Sequence, residues 1–207
     1  MFTLWFMGRP ASGKSTLASR VEDELIEHGL PIENLDGDDL RQNLHPGLGF
    51  SREDRRLNNK RTAYICKLLN RNDIPVIVGM ITPFRESQQQ AREIIESEGD
   101  FVLIYTKCSI EECERRDPKE LYKQAREGKI EKFTGVNHPF QEPLDPDLIV
   151  DTEHDSLDDC VGQVMNYLGS NHIIDQPLEG YDFSISRNEE LSVIEQLREK
   201  GKLDSDS

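Results

Sequence analysis

Cysteine is scarce and scattered: four fall among 207 residues, and none forms a C-x-x-C pair. Neither a zinc site nor a disulfide framework is therefore indicated. Cys66, Cys108, Cys113 and Cys160 read as reduced, semi-buried thiols, with Cys108 at a strand end. Long apolar runs are missing too, since nothing approaches the roughly 20 residues that span a bilayer. The start lacks a basic segment followed by an apolar one and a cleavage site, so export is not expected. These absences describe a cytoplasmic protein with no membrane partner. Positive charge is also short, with 25 Lys+Arg against 40 Asp+Glu and a net charge of −15. Such a field repels a nucleic-acid backbone unless a local basic patch overcomes it, so no nucleic-acid partner is expected. There are no internal repeats or low-complexity tracts.

What is present is more specific. Gly8-Arg9-Pro10-Ala11-Ser12-Gly13-Lys14-Ser15, followed by Thr16, fits G-x-x-x-x-G-K-[ST], the loop that cradles polyphosphates. Its glycines let backbone N–H groups curl round the phosphates, Lys14 can reach the β- and γ-phosphates, and the Ser15 hydroxyl can ligate Mg²⁺. The pattern is short, so context decides. Phe2–Met7 is an apolar run that reads as a buried strand. Ser15 to His28 has a helical rhythm, with Leu17, Ala18, Val21 and Leu25 on one side and Gly29 as its stop. Strand, loop and helix come in the order that phosphate binding requires.

Further along, residues 31–36 read as a short strand ending in acids, with a glycine turn at Gly37 before Asp38. Ser51 to Asn72 reads as a helix capped by Ser51 and Asp54. Arg55, Asn58 and Thr62 share one face of it, and its start is basic, which suits a second anionic substrate. Residues 74–81 form an apolar run typical of a central parallel strand. A helix from Thr82 to about Glu98 follows, with Pro83 near its first position, and residues 101–105 make the next strand. Ser109 begins a helix that breaks at Asp117-Pro118. The charged segment to Lys132 reads as a mobile lid whose Arg115, Arg116, Lys119, Lys123 and Arg126 could neutralise phosphoryl charge. A last strand at 148–152 and a helix from Ser156 to Leu168 close the series. This alternation predicts an α/β fold with a three-layer parallel sheet over residues 1–168. Residues 169–207 hold nine Asp/Glu and four Lys/Arg and read as an acidic extension with a helix from Glu189 to Lys200.

No N-K-x-D motif, transporter-ATPase signature or motor domain is present. A short chain with a cationic lid suits a small-molecule kinase, and the acceptor is where resemblance adds to the reading. Asp36-Gly37-Asp38-x-x-Arg41, Leu48-Gly49-Phe50-Ser51-x-x-Asp54-Arg55-x-x-Asn58, Ile81-Thr82-Pro83-Phe84-Arg85, Cys113-Glu114-x-Arg116-Asp117-Pro118-Lys119 and Phe133-Thr134-Gly135 resemble, in order, the motifs of adenylylsulfate (APS) kinases. The resemblance runs from about Leu4 to Thr152. It implies transfer of the γ-phosphate of MgATP to the 3′-hydroxyl of adenosine 5′-phosphosulfate, giving PAPS, by a dimeric enzyme.

The resemblance also implies roles. Phe50 and Phe133 would stack on the substrate adenine, while Arg41, Arg55 and Asn58 would hold the phosphosulfate and ribose. Asp38 would orient and deprotonate the 3′-hydroxyl, with Asp36 beside the metal. Ile81, Thr82 and Thr134 would contact the substrate, Thr82 at a position once linked to a phosphoserine. Lys14 and Lys119 would stabilise the transferred phosphoryl group. Several residues depart from the family pattern: Thr82 replaces serine, Glu120 and Lys132 replace glycines, Arg9-Pro10-Ala11 replaces Leu-Ser-Gly, and Phe140 stands where tyrosine is frequent. Two other readings stay open at this stage: a related kinase for a nucleoside or sugar hydroxyl, and a regulatory module that holds ATP without transferring phosphate.

Overall fold

The computed structural model describes residues 1–174. Five strands, β1 (Phe2–Met7), β2 (Glu33–Asp36), β3 (Val76–Met80), β4 (Asp100–Lys107) and β5 (Leu148–Asp151), form one sheet in the order β2-β3-β1-β4-β5. Every pairing is parallel. All six residues of β1 are buried, as a central strand covered on both faces must be. Alternation along β1 divides the core. Leu4 and Phe6 point toward α1 (Lys14–Glu27) and α7 (Leu157–Ser170), meeting Leu17, Val21, Val164 and Leu168. Trp5 and Met7 point the other way, meeting Ala63 and Cys66 of α3 (Arg52–Asn70) and Ala91 and Ile95 of α4 (Arg85–Ile95). The three-layer parallel arrangement is the one the alternation predicts.

Differences from the sequence reading are local. The turn expected after β2 is a helix, α2 (Gly37–Asn43), because Asp36 caps it by accepting from the Asp38 and Asp39 N–H groups. The helix expected to open at Thr82 starts at Arg85, and Pro83 precedes its cap Phe84. The capping box of Ser51 and Asp54 is present as read. The lid segment is less polar than its composition suggests. After α5 (Ile110–Arg116) it folds a short α6 (Leu121–Arg126) whose Tyr122 and Ala125 pack with Cys108, Cys113 and Phe133 in a small separate core. All four cysteines are free and fully buried rather than semi-buried. At the other end, α7 continues to Ser170, and Ile174 is buried in the larger core cluster. The helix read over residues 189–200 lies outside the described residues.

Candidate active site

The phosphate loop lies where β1 ends, with the sheet's strand order reversing on either side of it, the usual ligand crevice of open α/β sheets. Its seat is tight. A Cβ on Gly8 would stand 2.3 Å from Thr106 Oγ1 and 2.7 Å from the Thr106 carbonyl oxygen, so only glycine lets the loop approach β4. Ser12 Oγ lies 2.9 Å from Thr106 Oγ1, and Thr152 Oγ1 donates to the Ser12 carbonyl at 2.8 Å. Gly13 has φ +87° and leads directly into α1. Lys14 Nζ is folded back on the loop, donating to the Arg9 carbonyl at 2.6 Å. Burial pushes the Lys14 ammonium down to about 8, against the opposing pull of Cys113, Asp38 and Asp36. Ser15 Oγ donates to Asp36 Oδ2 at 3.1 Å, which sets a hydroxyl and a carboxylate side by side at the loop's open edge.

From this edge a cleft of about 1040 Å³ extends between the sheet and the lid. It gathers Pro10, Ala11, Gly13, Lys14, Ser15 and Thr16 of the loop with Asp36, Asp38 and Arg41 from the end of β2 and α2. Phe50, Arg55 and Asn58 form another wall, Ile81 and Thr82 the floor, and Lys119, Phe133 and Thr134 the lid side. Gly8, Arg9 and Ser12 of the predicted set do not face the cleft. The Arg9 guanidinium is turned outward, pairing with Glu142 at 3.0 Å and lying 4.8 Å over the Phe140 ring. Only its carbonyl serves the loop. The lid cations are also fewer than read: Arg116, paired with Glu112 at 2.7 Å, and Lys119 line the cleft, whereas Arg115, Lys123 and Arg126 lie off it, paired with Glu112, Glu120 and Glu114.

Two cationic features stand out among the cleft walls. Lys119 Nζ donates to Asp38 Oδ2 at 2.7 Å, joining the lid to the end of β2 across the opening. Arg41 and Arg55 both lie over the Phe50 ring, at 4.7 and 5.4 Å from its centroid, and donate to loop carbonyls: Arg41 to Leu48 and Gly49, Arg55 to Phe50 and Lys132. Among the described residues neither guanidinium has a carboxylate within ion-pair distance. Burial, then the like charge of Arg41, lowers Arg55 to about 10. Two neighbouring cations without a direct ion-pair partner form an anion-seeking wall. Phe50 is 52 % exposed and free to meet a ligand, while Phe133 is 8 % exposed and held edge-on to Tyr122 at 4.9 Å.

Thr82 adopts φ +42°, an outlier for a β-branched residue. Its Oγ1 accepts from Trp5 Nε1 at 2.8 Å, so the hydroxyl is committed to the core. Ala11, Glu120 and Lys132, three positions where the resembled family carries glycine, have φ +59°, +53° and +58°. The backbone keeps the left-handed shape although the glycines are gone. Sequence reasoning missed Asn59, Tyr122 and Thr152 as cleft residues. Thr152 was signalled by its place at the carboxyl end of a parallel strand, whereas Tyr122 had no local signal.

A phosphate loop at the carboxyl edge of a parallel sheet, faced by an acid and a cationic lid, defines a phosphate-loop phosphotransferase. The family pattern of adenylylsulphate kinase matches residues 1–151. An adenylyl-sulfate kinase of Staphylococcus carnosus is 44% identical over 171 residues, covering 83% of this chain and 85% of that protein. The APS kinase of Mycobacterium tuberculosis, solved in complex with AMPPNP and APS, superposes with a TM-score of 0.78 at 40% identity, covering 81% of this chain and 96% of that one. The chain belongs to the adenylylsulphate kinase family.

Proposed function

We propose that this chain transfers the γ-phosphate of ATP to the 3′-hydroxyl of adenosine 5′-phosphosulfate, giving PAPS and ADP. The observation that carries the reading is the single cleft in which the phosphate loop and the Arg41–Phe50–Arg55 wall face each other, spanned by the Lys119–Asp38 contact. A kinase needs both anionic partners in one space that excludes water.

In this reading the loop N–H groups of Ala11, Gly13, Lys14, Ser15 and Thr16 and the Lys14 ammonium hold the ATP phosphates, the negative charge of which favours the charged form of Lys14. Mg²⁺ fits the adjoining Ser15 Oγ and Asp36 carboxylate, hard oxygen donors of the kind that bind it with one or two protein ligands and phosphate oxygens. When bound, the ion neutralises charge on the transferred group. Arg41, Arg55 and Asn58 hold the phosphosulfate and ribose, and Phe50 and Phe133 take the adenine between them. Ile81, Thr82 and Thr134 shape the floor. Asp38 accepts the proton of the 3′-hydroxyl as Lys119 turns from Asp38 to the phosphoryl oxygens. Thr82 positions rather than attacks, since direct in-line transfer needs no enzyme nucleophile and its hydroxyl is occupied by Trp5.

A homodimer and a cytoplasmic setting complete the reading; no helix among the described residues is long and apolar enough to cross a membrane. The deciding experiment is ADP release from MgATP at micromolar APS, with APS omitted as control and PAPS identified as product. APS-dependent release is expected. ATP binding without APS-dependent turnover would overturn the acceptor assignment and favour another hydroxyl compound.

A further inference from the structure

The acceptor wall contains a buried pair of which the roles above use only one member, Asn58. His45, which follows α2, and Asn58, inside α3, are 4 % and 2 % exposed. His45 Nδ1 lies 2.7 Å from Asn58 Oδ1. Asn58 lines the cleft, and among the described residues its amide nitrogen has no hydrogen-bond partner. In the Nδ1-protonated tautomer of His45 the amide has one satisfied orientation, oxygen toward the imidazole and both N–H groups toward the cleft, and that tautomer is the one the proposal below requires. Next to it, Asn59 is 3 % exposed, lines the same cleft and has an Nδ2 with no partner.

We propose that His45 is a positioning residue for the acceptor: it fixes the Asn58 amide so that only its N–H groups face the bound phosphosulfate nucleoside. The proposal rests on the acceptor reading above. A freely turning amide presents oxygen as readily as nitrogen, and an amide oxygen facing phosphosulfate oxygens is repulsive. Locked by His45, the wall offers donors from Arg41, Arg55 and Asn58 to a ligand whose edge is mostly acceptor oxygens. Setting the orientation beforehand spares the ordering cost at binding. The competing role is to anchor the loop that carries Phe50. That loop is held largely through backbone: His45 N–H donates to the Leu40 carbonyl, and the His45 carbonyl accepts from Leu48 N–H, at 3.0 Å each. These contacts survive a change of side chain.

The test is a double-mutant cycle of His45→Ala and Asn58→Ala, with His45→Asn as the conservative variant, varying APS and MgATP separately. His45→Ala should lower kcat/KM for APS about tenfold, mostly through KM, the size of a lost hydrogen bond to a charged ligand, and leave the KM for ATP unchanged. His45→Asn, which keeps a donor near the Nδ1 position, should recover most of the loss. In the Asn58→Ala background, His45→Ala should cost nothing further. Fully additive losses, or an equal rise in the KM for ATP, would overturn the role. If circular dichroism shows His45→Ala unfolded, His45→Phe, which keeps a ring and lacks the donor, takes its place in the cycle. Absence of APS-dependent turnover by the unaltered chain overturns the acceptor reading and this role with it; normal turnover with additive losses overturns the role alone.

Discussion

At the scale of single residues, strain and chemistry can be separated by what each substitution leaves untouched. Ala11 holds φ +59° in the phosphate loop, where a Cβ costs about 1–2 kcal/mol. Glycine there also gains freedom in the unfolded chain, worth about 0.5–1 kcal/mol in the opposite direction. Ala11→Gly should therefore stabilise by roughly 0.5 kcal/mol and raise Tm by about 1–2 °C in calorimetry, and a fall in Tm would show the strain is relieved elsewhere. Asp38 poses the reverse case. Its contact with Lys119 joins side chains 82% and 66% exposed, and such pairs contribute about 1 kcal/mol at most. Asp38→Ala should leave Tm and ATP affinity almost unchanged while turnover falls by about 10²–10⁴-fold, the usual worth of a general base. Near-normal turnover would remove Asp38 from the chemistry. Both residues were legible in the sequence as members of motifs. The committed state of the Thr82 hydroxyl was not, because its partner Trp5 is 77 residues away in the chain.

At the scale of elements, the two aromatic side chains assigned to the adenine sit on supports of different kinds. Phe50 lies on the loop before α3 and is 52 % exposed; Phe133 is 8 % exposed within the small core that Tyr122, Cys108 and Cys113 give the lid. Phe50→Ala should thus raise the KM for APS at little cost to stability. Phe133→Ala should raise it as well and also destabilise by about 3–5 kcal/mol, since truncating a buried aromatic leaves a cavity. Thermal melts beside steady-state kinetics distinguish the two, and equal stability losses would place Phe133 outside the lid core. Periodicity revealed α1, α3 and the strands because each repeats its signal over several turns or residues. The lid did not yield to it: α6 spans only Leu121–Arg126, too short for a period, and its apolar partners come from α5 and the segment around Phe133. The helix α2 was hidden for a similar reason, its start being set by the Asp36 cap rather than by hydrophobic spacing.

At the scale of the whole molecule, the question is where the catalytic unit ends. Composition shifts after Leu168, and that shift suggested a boundary there, yet the packing continues. Ile173 N–H donates to the Leu168 carbonyl at 3.0 Å, and Ile174 is 6 % exposed among Phe2, Val21, Leu25 and Leu168 in the core against α1. We propose that the unit closes at Ile174. Composition could not place this edge because the two isoleucines stand alone among polar neighbours, and only the turn after α7 brings them back onto the core. A chain ending at residue 174 should then match the full chain in Tm and in kcat/KM for APS. A chain ending at residue 168 loses one buried isoleucine, a half-buried one and the last two residues of α7, which at about 2–4 kcal/mol for the buried side chain alone should lower Tm by roughly 5–10 °C. Its active-site residues are all retained, so at a temperature well below its melting point turnover should persist. A loss of activity in the chain ending at 174, with its Tm intact, would instead assign residues 175–207 a part in catalysis that the cleft itself does not require.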